Sequence, residues 1–351
     1  MGIFYKDKKV FGFDIGRSSI KIMQVDRSGK QAVVVGYGAS TFSSKAIKKG
    51  VVVDPESIIK SAHKLINTGL VGTLNTSHAA VSLPNEHSFS RVITLPKMTS
   101  NDLAKAVSLE VDQSIPLPLD ELYYDHSIAR TLEDGSQEIQ IVASPKIIAD
   151  SYLGVFEALG LEAALIESNI SAVTRIVVHS EAHDVSTLIV DVGSTAADVS
   201  VYDGSTIRAT GTIDCSSERI TQNIAKVLGV STEQANSIKT RYGLEVSKKQ
   251  DKILEAVEPE LNKLINEIRK VMRYFADKGG TEIGQIIILG GGANLPGLST
   301  YITNRTRIPT RLCAPWNNIS FGKLQPPHEL ETTLYTTASG LSLVSPRELA
   351  S

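Results

Sequence analysis

The segment Leu188-Ile-Val-Asp-Val-Gly-Ser-Thr-Ala-Ala-Asp-Val-Ser-Val-Tyr-Asp203 is an apolar run that ends in a carboxylate, then a glycine, then a turn of small hydroxyl residues. The same pattern stands near the start of the chain, as Val10-Phe-Gly-Phe-Asp-Ile-Gly-Arg-Ser-Ser-Ile-Lys-Ile-Met-Gln-Val-Asp26. Asp14 answers Asp191 and Asp26 answers Asp203 at one offset (191 − 14 = 177 and 203 − 26 = 177), and Gly16 answers Gly193. This repeat predicts two halves that start alike, each with a strand, a tight turn and a second strand.

An apolar strand of this kind is buried, and a carboxylate at its end needs a partner such as a cation or a hydrated metal. Asp14 and Asp191 are therefore candidate metal-binding carboxylates. Gly16 and Gly193 let the chain turn tightly and leave backbone N–H groups uncovered, a concavity that suits phosphate oxygens. Ser18, Ser19, Ser194 and Thr195 add hydroxyl donors there. An ordinary hairpin turn shares this composition, but two copies at matched offsets argue for a shared ligand.

At 351 residues the chain has length for about two domains with ample core. Lys+Arg 36 against Asp+Glu 38 gives a net charge of −2, so no basic surface points to nucleic acid or anionic lipid. Cys215 and Cys313 are too few for a disulfide framework, which fits a reducing compartment. Apolar runs such as Ile286-Ile-Ile-Leu289 are far short of the ~18 residues needed to span a bilayer. Residues 1–9 have no signal-peptide core. The expectation is a cytoplasmic protein that reaches a membrane only through a partner.

The first hairpin covers 11–26 and a further strand 31–38, and Asp54-Pro-Glu opens a helix bearing Ile58, Ala62 and Leu65. Beyond Pro84 the texture changes. Phe89, Arg91, Ile93 and Leu95 alternate with other residues, a helix starts at Thr99-Ser100, and two more strands flank the Glu133-Asp-Gly-Ser136 turn. This predicts a small inserted α+β domain whose helix covers the Phe89, Arg91, Ile93 and Leu95 face. The second half adds Ser231-Thr-Glu-Gln234 with capping-box spacing. Its amphipathic helix through Leu261, Leu264, Ile268 and Phe275 is followed by a buried strand running into Gly290-Gly-Gly292 and by a closing helix over 334–343. The expected division is 1–84, an insertion 85–160, a return helix 161–186, a second half beginning over 187–215, a helical part 216–282, and a last part 283–351.

Three glycines between a strand and a helix bring backbone close to a planar or anionic ligand. The spacing after Gly290 excludes a dinucleotide fingerprint, which would need glycine where Leu295 stands, and no Gly-Lys-[Ser/Thr] closes the loop as a P-loop requires.

Asp14-Ile-Gly16, Asp191-Val-Gly193, Gly290-Gly-Gly292 and the Ala338-Ser-Gly340 helix together resemble, over nearly the whole chain, the phosphate, adenosine and connecting segments of the actin/Hsp70/sugar-kinase ATPase fold. Within that superfamily, Arg91-Val-Ile-Thr-Leu-Pro-Lys-Met98 and Gln113-Ser-Ile-Pro-Leu-Pro118 resemble the PilM family, FtsA-like proteins of type IV pilus assembly. The resemblance implies an α/β, actin-like fold with two halves around a nucleotide cleft and an FtsA-type insertion. It implies ATP and Mg2+ as ligands, with the ion near Asp14 and Asp191, while the lack of a strong water-orienting constellation in the sequence predicts slow turnover, if any. Lys21 matches the lysine that reaches the phosphates. Asn236 and Lys239 match the nucleoside segment, although FtsA-like proteins commonly have Glu where Asn236 stands. Gly290, Gly291, Gly292 and Asn294 complete the cofactor set. Arg17 departs from the small hydroxyl residue usual there. Glu167, Asn169 and Ser171 are the candidates for orienting water.

The implied partner is a PilN-like bitopic inner-membrane protein whose cytoplasmic peptide docks on the insertion near Arg91, Leu95, Pro96 and Met98. Other assembly-platform proteins and further copies of the chain are also expected partners. The rivals are a small-molecule kinase of the same superfold and an FtsA-like division protein. The kinase would need an Asp base in a hydrophilic cleft, and the division protein an amphipathic C-terminal helix absent from 341–351.

Overall fold

The computed structural model describes residues 9–29, 31–180, 185–204, 206–245 and 250–345. The expectations placed on 1–8 and 346–351 lie outside these residues.

Strands β1 (Phe11–Ile15), β2 (Ser19–Asp26) and β3 (Ala32–Thr41) form an antiparallel meander. The two-residue strands β4 (Ile47–Lys48) and β5 (Val51–Val52) pair beside it. Helix α1 (Pro55–Lys64) follows, its first turn capped by the Asp54 carboxylate, which accepts from the Ser57 N–H, with proline at the first helical position. Strand β6 (Val71–Gly72) pairs with β3, and β7 (His78–Leu83) lies parallel to β1.

The chain then leaves this sheet. Strand β8 (Phe89–Leu95), helix α2 (Ser100–Ser114), β9 (Leu122–Thr131) and β10 (Gln137–Pro145) build a three-stranded antiparallel sheet of order β8-β10-β9 with α2 across one face. Helix α3 (Lys146–Ala158) leads back to β11 (Glu162–Ser168), parallel to β7, and α4 (Asn169–Ser180) closes the first half.

The second half repeats the design. Strands β12 (Ser186–Val192), β13 (Ala197–Tyr202) and β14 (Ile207–Ile213) form the meander, followed by α5 (Ser217–Leu228), α6 (Thr232–Tyr242) and α7 (Gln250–Asp277). Strand β15 (Ile283–Leu289) then lies parallel to β12, α8 (Leu298–Thr306) follows, and β16 (Thr310–Leu312) lies parallel to β15. Strand β17 (Ile319–Ser320) returns to the edge of the first sheet, and α9 (Thr336–Ser342) ends the described chain. The sheet orders β11-β7-β1-β2-β3 and β16-β15-β12-β13-β14 are the same topology twice.

Burial explains why β1 and β12 are apolar throughout: each pairs with a parallel strand on one side and an antiparallel one on the other, and helices cover both faces. Leu261, Leu264, Ile265, Ile268, Val271 and Phe275 of α7 are buried against the second sheet, as the helical spacing predicts. Two helices join the halves. Ile170, Val173 and Val177 of α4 pack on Ile189, Ile287 and Leu289 of the second sheet, while Ala338 of α9 packs with Met23 and Val25 of the first. Helix α9 lies against backbone. A Cβ on Gly340 would meet the Ala172 carbonyl oxygen at 1.9 Å, and one on Gly12 would meet the Ala338 oxygen at 2.1 Å.

The small sheet departs from expectation at one end. Ile93 and Leu95 pack under α2 with Leu103, Val107 and Val111, but Phe89 is 37% exposed and Arg91 lies at the surface. The apolar stripe of α2 is centred on Ile139, Ile141 and Ala143 of the central strand β10, so it covers only part of β8.

Candidate functional site

The two repeated motifs face one another across a single cleft of about 330 Å³. That volume is at the lower end of small-molecule sites, about 300–1,000 Å³. Asp14, Gly16, Arg17, Ser18, Ser19 and Lys21 line one side, and Asp191, Gly193, Ser194 and Thr195 the other, with Asn236, Lys239, Gly290, Gly291, Gly292 and Asn294 on the remaining wall. Residues far apart in sequence are thus brought together.

Both turns are closed by the same bond. The Gly16 N–H donates to the Ser19 carbonyl at 2.9 Å, and the Gly193 N–H donates to the Ala196 carbonyl at 2.9 Å. In the second half, helix α5 holds the turn from outside. The Ser217 and Glu218 N–H groups donate to the Gly193 and Ser194 carbonyls at 3.1 Å each, which satisfies first-turn donors that a helix cannot satisfy itself.

Strand register sets the charges. Lys21 lies directly opposite Asp14 in the β1–β2 ladder, and its ammonium donates to Asp14 Oδ2 at 3.2 Å. Ser82 on β7 donates to Oδ1 at 3.1 Å, so the buried Asp14 is paired on both oxygens. The equivalent position of the second ladder, opposite Asp191, is Asp198. One half therefore offers a cation beside its carboxylate and the other a second carboxylate. Burial, with the charges of Asp198 and Asp14 adding to it, pushes Asp191 up to about 7, although a hydrogen bond from Asn169 and the charge of Lys21 pull the other way.

Of the residues expected to orient water, Asn169 lines the cleft at the start of α4. Its Nδ2 donates to Asp191 Oδ2 at 3.3 Å, and its Oδ1 accepts from Thr337 Oγ1 at 2.8 Å. The expectation for Glu167 needs correction. Its carboxylate takes two hydrogen bonds from the Arg175 guanidinium, at 2.6 and 2.8 Å, and it does not line the cleft. Ser171 is hydrogen-bonded with Ser168 at 2.9 Å.

Gly290 has a φ of 81°, and a Cβ there would meet Asp191 Oδ1 at 2.2 Å, so only glycine lets this loop approach the carboxylate. Asn294 is held by bonds to the Leu330 carbonyl and Thr333 Oγ1, and Thr333 also donates to the Gly290 carbonyl at 3.0 Å. Lys239 is on the wall, but its ammonium points into α5. It donates to Ser217 O at 3.2 Å and to Ser217 Oγ and Thr221 Oγ1 at 2.8 Å each, and burial pushes it down to about 8.

Sequence reasoning missed Ser82, Asp198, Thr333 and Thr337. Asp198 alone carried a signal, because it stands where Lys21 stands in the first repeat (198 − 21 = 177).

The donor set suits a metal-bound polyphosphate. The two tight turns with their hydroxyl side chains, the Lys21 cation and the carboxylates of Asp14, Asp191 and Asp198 all line the cleft. Among the described residues no group of three or more His, Cys, Asp or Glu could hold a metal alone, but Mg2+ bound with phosphate uses one or two carboxylates and keeps water. The residues expected to meet a partner lie elsewhere. Arg91 pairs with Glu110 at 3.0 Å and donates to Ser114 Oγ at 2.7 Å, Pro96 is exposed, and Leu95 and Met98 pack against the core of the small sheet.

Comparison with known proteins agrees with this architecture. The family model described as Type IV pilus assembly protein PilM matches residues 12–346. Among curated relatives, the cell division protein FtsA of Pseudomonas aeruginosa is 24% identical, over 88% of this chain and 84% of its own length. Among solved structures, a PilM-PilN type IV pilus biogenesis complex aligns with a TM-score of 0.82 at 21% identity, covering 98% of this chain and 99% of that one. MreB 5 of Spiroplasma citri bound to AMPPNP aligns with a TM-score of 0.57 at 12% identity, covering 96% and 95%. These neighbours establish the actin-like ATPase fold. The match across nearly all of the chain means that it belongs to the type IV pilus assembly protein PilM family.

Proposed function

We propose that this protein binds Mg-ATP in the cleft and uses it as a conformational ligand. On this reading it is an actin-like cytoplasmic component of the inner-membrane assembly platform of type IV pili, or of a related type II secretion machine. The observation that carries the reading is the pair of opposed turns headed by Asp14 and Asp191, with Lys21 reaching across from β2. Lys21 and the N–H groups of both turns hold the β- and γ-phosphate oxygens. Asp14 and Asp191 hold the hydrated Mg2+, whose role is to offset phosphate charge. Gly291, Gly292, Asn294 and Asn236 form the nucleoside wall, and Lys239 stiffens it from behind. A solved neighbour that carries AMPPNP supports a nucleotide here.

Among the described residues no helix is long and apolar enough to cross a membrane. The reading places the chain at the inner membrane through the cytoplasmic tail of a PilN-like partner, received by the small domain that the expected division assigns to 85–160. The PilM-PilN complex among the solved neighbours supports such a partner.

Displacement of a fluorescent ATP analogue tests the site. Asp191→Ala should weaken binding at least about tenfold, the loss of roughly 1.4 kcal/mol or more, while the circular dichroism spectrum stays that of wild type. Unchanged affinity in a folded Asp191→Ala protein places the nucleotide elsewhere.

A further inference from the structure

The small sheet belongs by connectivity to the first half, since it is inserted between β7 and α3, yet it is tied to the second half by a chain of charges. Asp203 accepts from Arg208 Nε, the Arg208 guanidinium donates on to Glu138 Oε2, and Glu138 also takes two bonds from Arg130 at 2.7 and 3.2 Å. Arg208 and Asp203 stand on the β13–β14 hairpin, and Glu138 and Arg130 on β10 and β9. A second link runs beside it, from Thr206 Oγ1 to Gln140 Oε1.

Glu138 is 8% exposed. Burial raises its proton affinity, but the bonds from Arg208 and Arg130 outweigh that and hold the carboxyl below its ordinary range. Next to this network lies a groove of about 890 Å³ between β8 and α2 on one side and β14 and the end of α7 on the other. The joint is therefore polar and incompletely packed, the kind of interdomain contact that permits relative motion.

Both sides of the joint lead straight to the cleft. Strand β13 begins at the Gly193–Ala196 turn and ends beside Asp203, a rigid central strand roughly 20 Å long. On the other side β10 runs directly into α3, whose Tyr152 lines the cleft. The halves also meet at α4 and α9. Joined at two separate places, they cannot rotate about the helices without moving or breaking the charged joint.

We propose that the Asp203–Arg208–Glu138 bridge, whose Glu138 end is anchored within the small domain by Arg130, is a latch through which rearrangement of the cleft on nucleotide binding moves the small domain. The proposal rests on the reading of the cleft as a nucleotide site, and it makes the position of the partner-receiving domain depend on nucleotide.

Distance measurements between spin labels on Leu109→Cys in α2 and Asn304→Cys in α8 test it. Both positions are exposed, and the native Cys215 and Cys313 are buried, so labelling is selective. The full chain should give one narrow distance distribution that shifts when Mg-ATP is added. Arg208→Gln should broaden the nucleotide-free distribution and abolish the shift while leaving nucleotide affinity unchanged. Glu138→Gln, a second way to open the joint, should do the same if Arg208→Gln does not fold. Arg130→Gln removes a charge within the small domain only and should leave both the width and the shift as in wild type. A narrow distribution or a persisting shift in the two joint variants overturns the latch, as does a wild type that binds nucleotide without a shift. If wild type binds no nucleotide, the cleft reading fails, and the nucleotide-free widths still show whether the joint holds the domain.

Discussion

At the scale of single residues, the cleft is built from strand-end carboxylates and what the ladders place opposite them. Asp14 and Asp191 were legible because a carboxylate closing an apolar run is costly to bury without a partner, and because the run occurs twice. Glu167 was not legible. Its partner Arg175 lies eight residues on, two turns into α4, and only the fold brings the guanidinium back over the carboxylate. Ser82 and Thr337 were hidden for another reason: short polar residues at strand ends and in helices occur everywhere, and their meaning comes from Asp14 and Asn169 beside them.

Lys239 offers a test at this scale. Its ammonium is buried and donates to a carbonyl and two hydroxyls of α5, and burial lowers its pKa from 10.5 to about 8. Between pH 8 and 10.5 the unfolded chain holds this proton more often than the folded one, so stability from this group rises with pH across that window. Relative to Lys239→Met, wild type should gain on the order of 2 kcal/mol between pH 8 and 10.5, measured by chemical denaturation at each pH. A gap that stays constant would mean that the lysine is solvated.

At the scale of elements, the repeat announced two strand-turn-strand units, the Asp54-Pro-Glu and Ser231–Gln234 signals marked the starts of α1 and α6, and the apolar spacing found the second half of α7, which begins at Gln250, well before Leu261. The partial cover of β8 was not readable, because alternation along a strand says which face is apolar but not where a helix will sit on it. The junction of α4 and α9 is similar. Sequence suggests close packing through Ala338 and Gly340, while the structure supplies the backbone they touch. Gly340→Ala, which drives a Cβ into the Ala172 carbonyl, should destabilise by about 3 kcal/mol. Gly154→Ala, in α3 with nothing within 4 Å of its Cβ, should instead stabilise by about 0.5–1 kcal/mol. Thermal denaturation of both variants checks the pair, and a tolerated Gly340→Ala contradicts the contact.

At the scale of the molecule, two like halves enclose a cleft that is asymmetric in charge, with Lys21 in one half and Asp198 in the other. All three residues expected to orient water already have side-chain partners, Ser171 in Ser168. Asn169 spends its amide on Asp191 and Thr337, and Glu167 is held by Arg175. The protein should therefore turn over ATP far more slowly than the ~10 s⁻¹ of a typical enzyme when no partner is present. A phosphate-release assay reaching that rate would show that another group activates water.

The central claim is that the cleft between the halves is a Mg-nucleotide site. Calorimetric titration of ATP into the folded, nucleotide-free protein measures this directly, first with Mg2+ and then with the ion chelated. The account predicts saturable one-site binding that depends on Mg2+ and is weakened by Asp191→Ala. Folded protein that takes up no adenine nucleotide, or takes it up equally well without the ion, would contradict it.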